Sequence, residues 1–389
     1  MTDVLANKNV KASPDTFDVG IIGGGLAGLS LSILLARAGY KIILFEKEKY
    51  PFHRVCGEYI SLESRKFIES LGCELFQLGL PVIKKLIVSA PNGDFIKANL
   101  GLGGFGVSRF LIDNELKKIA VKHGVTLLEE TKVTDLAFNN DSFEIVYNGG
   151  KISSAVVSGS FGKRSNLDVK WKRDFIKQKP GKLNNYIGVK YHVKTSFPFD
   201  TIALHNFKNG YCGISKVEGD SYCLCYLTTA QNLKENNNSL KEMERNILYK
   251  NPFLKNIFSE SEFLFPEPVT ISQISFDRKM QVENHVLMTG DAAGMITPLC
   301  GNGMSMALHS SKIVAEFITA FLNKSIARNE MEKRYEQEWK KNFGKRLFAG
   351  RMIQKLFGKE FITNRFIGFV KHFPFIINGM VNATHGREF

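Results

Sequence analysis

No apolar run in the 389-residue chain approaches the ~18 residues a membrane-spanning helix needs, which argues against an integral membrane protein. The stretch from Met1 to Phe17 is polar and has no apolar signal core, so secretion is not expected. Cysteine is scarce. The six present (Cys56, Cys73, Cys212, Cys223, Cys225, Cys300) form no CxxC pair and no Cys/His cluster. That argues against a metal site or a disulfide scaffold and suits a reducing, cytoplasmic setting. Repeats and low-complexity tracts are also absent; Asn236-Asn237-Asn238 is a loop. No zinc-finger, RNP-type aromatic or basic helix-turn-helix pattern accompanies the basic residues, so nucleic acid is not an expected partner. What is there is ordinary globular material. Hydrophobic residues make up 44% and charged residues 23%, enough for a sizeable core in two or three domains.

The charge is lopsided: 52 Lys+Arg against 38 Asp+Glu give +14. From Lys340 to Phe389 ten basic residues face two acids, Glu360 and Glu388, so eight of the fourteen surplus charges lie there, together with nine of the 31 phenylalanines. Phe343, Leu347, Met352, Leu356 and Phe357 recur at roughly helical spacing, with Lys345, Arg346, Lys355 and Lys359 between them. The expectation is a terminal helical segment packed on the body with its Lys/Arg solvated. Peripheral contact with a membrane surface or an acidic partner is the alternative.

Near the N-terminus, Phe17 to Ile22 reads as a buried parallel strand. Gly23-Gly24-Gly25-Leu26-Ala27-Gly28 follows at once and contains GxGxxG at Gly23, Gly25 and Gly28. Leu29 to Ala38 continues as a helix closed by Gly39, and Tyr40 to Phe45 is a second strand ending in Glu46. Gly23 permits the tight turn, Gly25 lets backbone approach a pyrophosphate, and Gly28 lets helix and strand pack closely. The helix N-terminus, including Leu26 and Ala27, offers free N–H groups to the phosphates. Glu46 stands where an acid would accept from a ribose hydroxyl. Strand, loop, helix, strand and acid in register predict dinucleotide binding, without separating NAD from FAD.

A second segment lies far downstream. Val286 to Met288 reads as a buried strand, Thr289-Gly290-Asp291 as a turn with an acid at its tip. Pro298-Leu299-Cys300-Gly301-Asn302-Gly303 leads into a long helical stretch, Met304 to Phe321. Here the sequence resembles the FAD-dependent superfamily that includes aromatic hydroxylases, flavin-dependent halogenases and geranylgeranyl reductases. Gly290-Asp291-Ala292-Ala293-Gly294 resembles its second FAD motif, and Gly301-Asn302-Gly303 the turn that lies along the isoalloxazine ring. Glu46-Lys47 to Cys56-Gly57-Glu58 resembles the loop that passes over FAD, with Arg54 a contact and Cys56-Gly57 near the flavin. Arg109, in Ser108 to Leu116, resembles the arginine preceding the helix that crosses under the cofactor. The resemblance implies an α/β fold: a Rossmann-like FAD-binding domain (1–80, 107–181, 281–339), an inserted, mostly antiparallel β-sheet substrate domain (81–106, 182–280), and a basic C-terminal helical segment (340–389).

One departure is visible. The superfamily's middle Asp-Gly motif corresponds to Val156–Ser165, with Phe161 where the Asp would fall; Gly162, Arg164 and Ser165 keep the outline. Direct NAD(P)H handling is therefore in question, and a separate reductase or another electron-donor protein is the other source of electrons. Thr201–Phe207, Tyr211–Val217 and Ser221–Thr229 read as consecutive strands, with Asn209-Gly210 and Gly219-Asp220 as turns. Ser239 to Glu242 is a capping-box start for a helix ending near Asn251-Pro252. Cys223 and Cys225 read as small hydrophobes within a sheet. Cys56 is the one catalytic candidate, a proton donor or a packing residue; His53 is assigned to the surface.

The implied activity is FAD-dependent oxidoreduction. The first expectation is monooxygenation of an apolar or aromatic small molecule through a flavin C4a-hydroperoxide. Reduction of an isoprenoid double bond is the alternative, favoured by Cys56-Gly57-Glu58 and Gly294. Halogenation is disfavoured because Trp171 and Trp339 are the only tryptophans, so the Trp-x-Trp-x-Ile-Pro motif is missing. A non-catalytic lipid escort on the same fold is the reading from another class.

Overall fold

The apolar run ahead of the glycine loop forms the strand Thr16–Ile22, parallel to Ile42–Phe45 on one side and to Gly150–Gly159 on the other. The computed structural model describes residues 16–177, 184–297, 301–357, 359–373, 375–384 and 386–389. Pro298, Leu299 and Cys300 of the second cofactor segment lie outside them. Thr126–Leu128 and Val286–Met288 extend the parallel sheet at its two sides, and a hairpin, Val133–Asn139 with Ser142–Tyr147, joins it through Gly150–Gly159. Val19, Ile21, Ile42 and Leu44 are all buried, as in a parallel sheet covered on both faces. The helices Leu26–Arg37, Arg109–Lys122 and Gly303–Leu322 supply much of that cover.

A second sheet of nine strands stands apart from the first. Val82–Ser89 and Phe95–Gly106 pair antiparallel, and Thr201–Phe207, Gly210–Lys216 and Tyr222–Thr229 follow as a meander. Asn209 takes φ +60° and Gly219 φ +63°, the left-handed backbone that tight hairpin turns require. The pairing of Thr201–Phe207 with Val82–Ser89 is parallel; most of the other pairings are antiparallel. The sheet also takes in Tyr59–Ser61, which pairs with Gly104 to Gly106. The Rossmann-like α/β architecture, the mostly antiparallel second sheet and the C-terminal helices expected from sequence are all present.

Two expectations change. The helix that Ser239 caps is shorter than predicted, Leu240–Asn246. A new helix, Pro252–Glu260, begins where the first was expected to end, because Asn251 accepts from Phe253 N and Pro252 fits the first helical turn, where its missing N–H costs nothing. The basic C-terminal stretch is likewise no separate element at its start: Arg328–Leu356 is one continuous helix running through residue 340. Phe343, Leu347 and Phe357 are buried, whereas Met352 is on the outside. Glu360–Val370 and Phe375–Thr384 follow and pack against the second sheet through Ile367, Val370 and Ile377.

Candidate functional site

The glycine loop is built as its sequence predicts. Gly23 has φ +104°, and a Cβ there would collide with the Ser160 carbonyl. A Cβ on Gly28 would overlap the Gly23 carbonyl, so only glycine lets the helix Leu26–Arg37 start this close to the strand. Gly25 is different: a Cβ would touch only Arg109 Nη2, at 3.4 Å, so its outer side faces open space.

Glu46 is buried beside this loop. Its Oε2 accepts from Gly24 N at 2.9 Å and from Arg54 Nη2 at 2.8 Å, and its Oε1 from Glu48 N at 3.1 Å. Arg54 Nε also donates to Asp113 Oδ2 at 3.1 Å, and Arg109 forks onto both oxygens of Asp113 at 2.8 and 2.7 Å. Arg54 and Arg109 are thus held by one buried carboxylate on the rim of the glycine loop. The Tyr50 hydroxyl donates to the Gly24 carbonyl. Lys47 is exposed and pairs with Glu48 at 3.5 Å.

The second motif closes on the first. Gly290, at φ +57°, starts a single helical turn through Ala292, and a Cβ on it would sit 3.2 Å from that of Ala27. Asp291 is fixed from behind by Lys279, whose ammonium donates to the Asp291 and Lys163 carbonyls, each at 2.8 Å. Burial pulls the Lys279 amine down to about 8, against the Asp168 and Asp291 carboxylates, which favour its charge. Gly301, at φ +65°, lies against the Tyr59 ring; Asn302 is buried, and Gly303 opens the helix Gly303–Leu322.

The middle segment keeps its outline for a structural reason. Ser165 and Asp168 form a reciprocal capping box for the short helix Asn166–Lys170. Asp168 also pairs with buried Arg173 at 2.8 Å, and Arg173 donates to the Ala292 carbonyl at 3.2 Å. Phe161 lines the cavity where the acid of the resembled motif would stand.

A continuous cavity of about 990 Å³ opens between the two sheets. Its walls include Gly23, Gly25, Leu26, Ala27, Glu46, Lys47, Arg54, Cys56, Gly57, Arg109, Asp291, Gly301 and Gly303. Gly28 and Asn302 stand behind the wall as packing partners. The far side is apolar: Leu86, Val88 and Leu100, Ile202 and Leu204 from the second sheet, with Ile353, Phe357 and Met380 from the C-terminal helices. The volume reaches the top of the about 300–1,000 Å³ typical of ligand pockets. The Tyr59 hydroxyl belongs to a wall residue and is buried without a hydrogen-bond partner among the described residues.

Cys56 is half-buried in this wall, and its carbonyl accepts from Cys223 Sγ at 3.2 Å. Cys223 and Cys225 lie in the strand Tyr222–Thr229; burial pushes the Cys225 thiol up to about 12. The surface assignment of His53 is corrected. It lines the cavity, stacks on Phe110 with ring centres 4.8 Å apart, and meets the His192 ring edge-on at 5.0 Å. Burial, with Lys190 and His192 beside it, lowers its pKa to about 4.

Sequence reasoning named Glu58 only as part of Cys56-Gly57-Glu58 and missed the buried cluster it forms with Lys190 and His192. Glu58, at φ +55°, accepts from Arg109 N at 2.8 Å and from the ammonium of Lys190 through Oε1, and its Oε2 lies 2.5 Å from His192 Nε2. Lys190 and Glu58 are wholly buried. Burial would raise the Glu58 carboxyl, but Lys190 and His192 outweigh it and hold it at about 2. His53, Glu58 and His192 offer ligand atoms within 4.8 Å of one another, but the Lys190 ammonium already supplies the positive charge there. The sequence signal for the cluster was Lys190 and His192 inside the otherwise mostly apolar run of Ile187 to Val193.

Comparison with known proteins agrees with this geometry. The NAD(P)-binding Rossmann-like domain family matches residues 21–58. The Conditioned medium factor receptor 1 of Dictyostelium discoideum is 24% identical over 384 residues, covering 88% of this chain and 70% of that one. The digeranylgeranylglycerophospholipid reductase of Methanococcus vannielii is 22% identical, covering 85% and 84%. Among solved structures, the flavin-dependent brominase Bmp2 superposes with a TM-score of 0.77 at 20% identity, over 95% of this chain and 93% of that one. The chain thus has the two-sheet fold of the FAD-dependent oxidoreductase superfamily that holds the geranylgeranyl reductases and flavin-dependent halogenases, and it resembles that superfamily in sequence along most of its length.

Proposed function

We propose that the protein is a FAD-dependent monooxygenase acting on an apolar small molecule. The observation that carries this reading is the continuity of one cavity from the glycine loop to an apolar chamber. The residues present fit the cofactor: Gly25 leaves backbone open to a pyrophosphate, Glu46 offers a buried carboxylate to a ribose, and two helix N-termini meet at the cavity. Arg54 and Arg109 stand beside the loop with their charges balanced by Glu46 and Asp113. Bound FAD would supply the redox chemistry, activating oxygen against the substrate.

The chain's own residues bind, orient and exclude water. Asp291, held by Lys279, and Gly301 with Gly303 would face the cofactor from the wall of the cavity. Leu86, Val88, Leu204 and Phe357 give a dry wall that selects an apolar substrate and keeps water from the reacting centre. Electrons come from NAD(P)H or from a separate reductase; Phe161 favours the second. Turnover under labelled oxygen gas tests the reading: label is expected in the product, and product formed without it sinks monooxygenation.

Reduction of an isoprenoid double bond is the second reading. Cys56-Gly57-Glu58 in the cavity wall and the similarity to the Methanococcus reductase favour it. In that case an isoprenoid would reoxidise the reduced protein under anaerobic conditions, and Cys56 would serve as the proton donor or as packing beside it.

A further inference from the structure

We propose that the outer face of the C-terminal helices is a docking surface for an anionic lipid bilayer, through which the apolar substrate reaches the cavity. Along Arg328–Leu356, Lys345, Phe348, Met352 and Lys355 follow one another at helical spacing and are all exposed, Phe348 at 61%. Glu360–Val370 repeats the pattern with Phe361 at 69%, Ile362, Arg365 and Phe369 at 56%. Large exposed aromatics gathered on two successive helices are not the scatter of a plain soluble surface.

The charge among them is almost all of one sign. Lys345, Lys355, Lys359 and Arg365 are exposed, the Arg365 guanidinium stacks over the Phe361 ring at 4.6 Å, and Glu360 is the one acid between residues 340 and 387. Lys371 is already engaged by Asp94 at 3.4 Å. Phenylalanine interleaved with Lys/Arg is the chemistry of a segment lying in the headgroup layer of an anionic leaflet. No helix among the described residues is long and apolar enough to cross a membrane, so the contact is peripheral.

The inner side of the same helices says what the docking is for. Ile353 lies one residue beyond exposed Met352, and Phe357 follows; both line the cavity, as do Ile377 and Met380. Only the thickness of these helices separates the greasy outer face from the apolar chamber. The delivery role rests on the proposed apolar substrate; the docking itself does not.

The test is sedimentation of full-length protein with phosphatidylcholine vesicles, with and without phosphatidylglycerol. The variants are Lys355→Glu/Lys359→Glu/Arg365→Glu and Phe361→Ser/Phe369→Ser, all at exposed positions, with folding checked by circular dichroism. Each basic residue near such a leaflet contributes about fivefold to partition. Wild-type protein is expected to bind phosphatidylglycerol vesicles in a salt-sensitive way, and each variant to lose about tenfold or more. Equal partition of wild type and variants, or no partition at all, overturns the proposal. So does a change confined to oligomeric state, which would make this face a contact between two copies of the chain. Flavin content is read in parallel: colourless protein that still sediments fails the enzyme reading alone, while turnover of a dispersed substrate without vesicle binding fails only the docking.

Discussion

The Glu58 carboxylate and the Lys190 ammonium meet in the interior, both wholly buried, where the strand Asn184–Lys194 passes behind the wall of the cavity. The same carboxylate accepts from Arg109 N, so the ion pair also fixes the start of the helix that carries Arg109 to the glycine loop. Removing one partner leaves a buried charge uncompensated, which costs far more than the pair itself is worth. Glu58→Gln is expected to lower unfolding free energy in urea by about 3–5 kcal/mol, and Glu58→Gln/Lys190→Met to recover most of it. Strict additivity of the two single changes would show that the pair is not coupled.

Stability should fall on mild acidification. His205 is almost wholly buried, and that burial lowers its pKa to about 4. His53 and His309 are lowered to about the same value, chiefly by burial. Because the folded value lies below the ordinary 6.5, the unfolded chain binds these protons first. The stability these histidines contribute is therefore complete above pH 6.5 and is lost as pH falls toward 4, by up to about 1.4 kcal/mol per pH unit for each fully buried histidine. Glu58 extends the loss from about pH 4.5 down to 2. A melting temperature flat between pH 6.5 and 4.5 would count against neutral buried histidines.

Gly25 and Gly28 should separate cofactor from fold. Gly25→Ala introduces a Cβ that meets only Arg109 Nη2, so the protein is expected to stay folded while FAD affinity drops. Gly28→Ala drives a Cβ into the Gly23 carbonyl and is expected to lower the melting temperature as well. Flavin absorbance per mole of folded protein, read beside thermal melts, checks both; equal behaviour of the two variants contradicts the assignment.

Tyr59→Phe removes a buried hydroxyl that has no hydrogen-bond partner among the described residues. Deleting an unsatisfied polar group is neutral or stabilising for the fold by itself. The expected outcome is an unchanged or slightly higher melting temperature with weaker binding of flavin or substrate, measured by titration of the reconstituted protein. A loss of stability with unaltered binding would place the hydroxyl outside the site.

Lys279→Met removes the two hydrogen bonds that hold the Asp291 and Lys163 carbonyls together. Each is worth about 1.5–3 kcal/mol for a charged donor, offset by relief of the buried amine. FAD affinity is expected to fall by about tenfold while the secondary structure persists, which flavin release on dilution would reveal.

What the sequence alone determined about this protein is local in origin. The strand, glycine loop, helix and Glu46 follow one another within thirty residues, and each is dictated by the sterics of glycine, the burial of a parallel strand and the free N–H groups of a helix start. The hairpins at Asn209 and Gly219 were legible for the same reason, since left-handed turn residues write themselves in composition. Tertiary structure decided what depends on distant segments. Glu58 and Lys190 are 132 positions apart and signal nothing until the second sheet folds behind the Arg54 loop. His53 looked like a surface residue because its burial comes from Phe110 and His192, both remote in sequence. The basic tail could be read as helical and amphipathic, yet which of its phenylalanines face the cavity and which face outward was fixed only when the helices packed. Periodicity defines faces of a helix, but only the neighbouring sheet determines which face is buried.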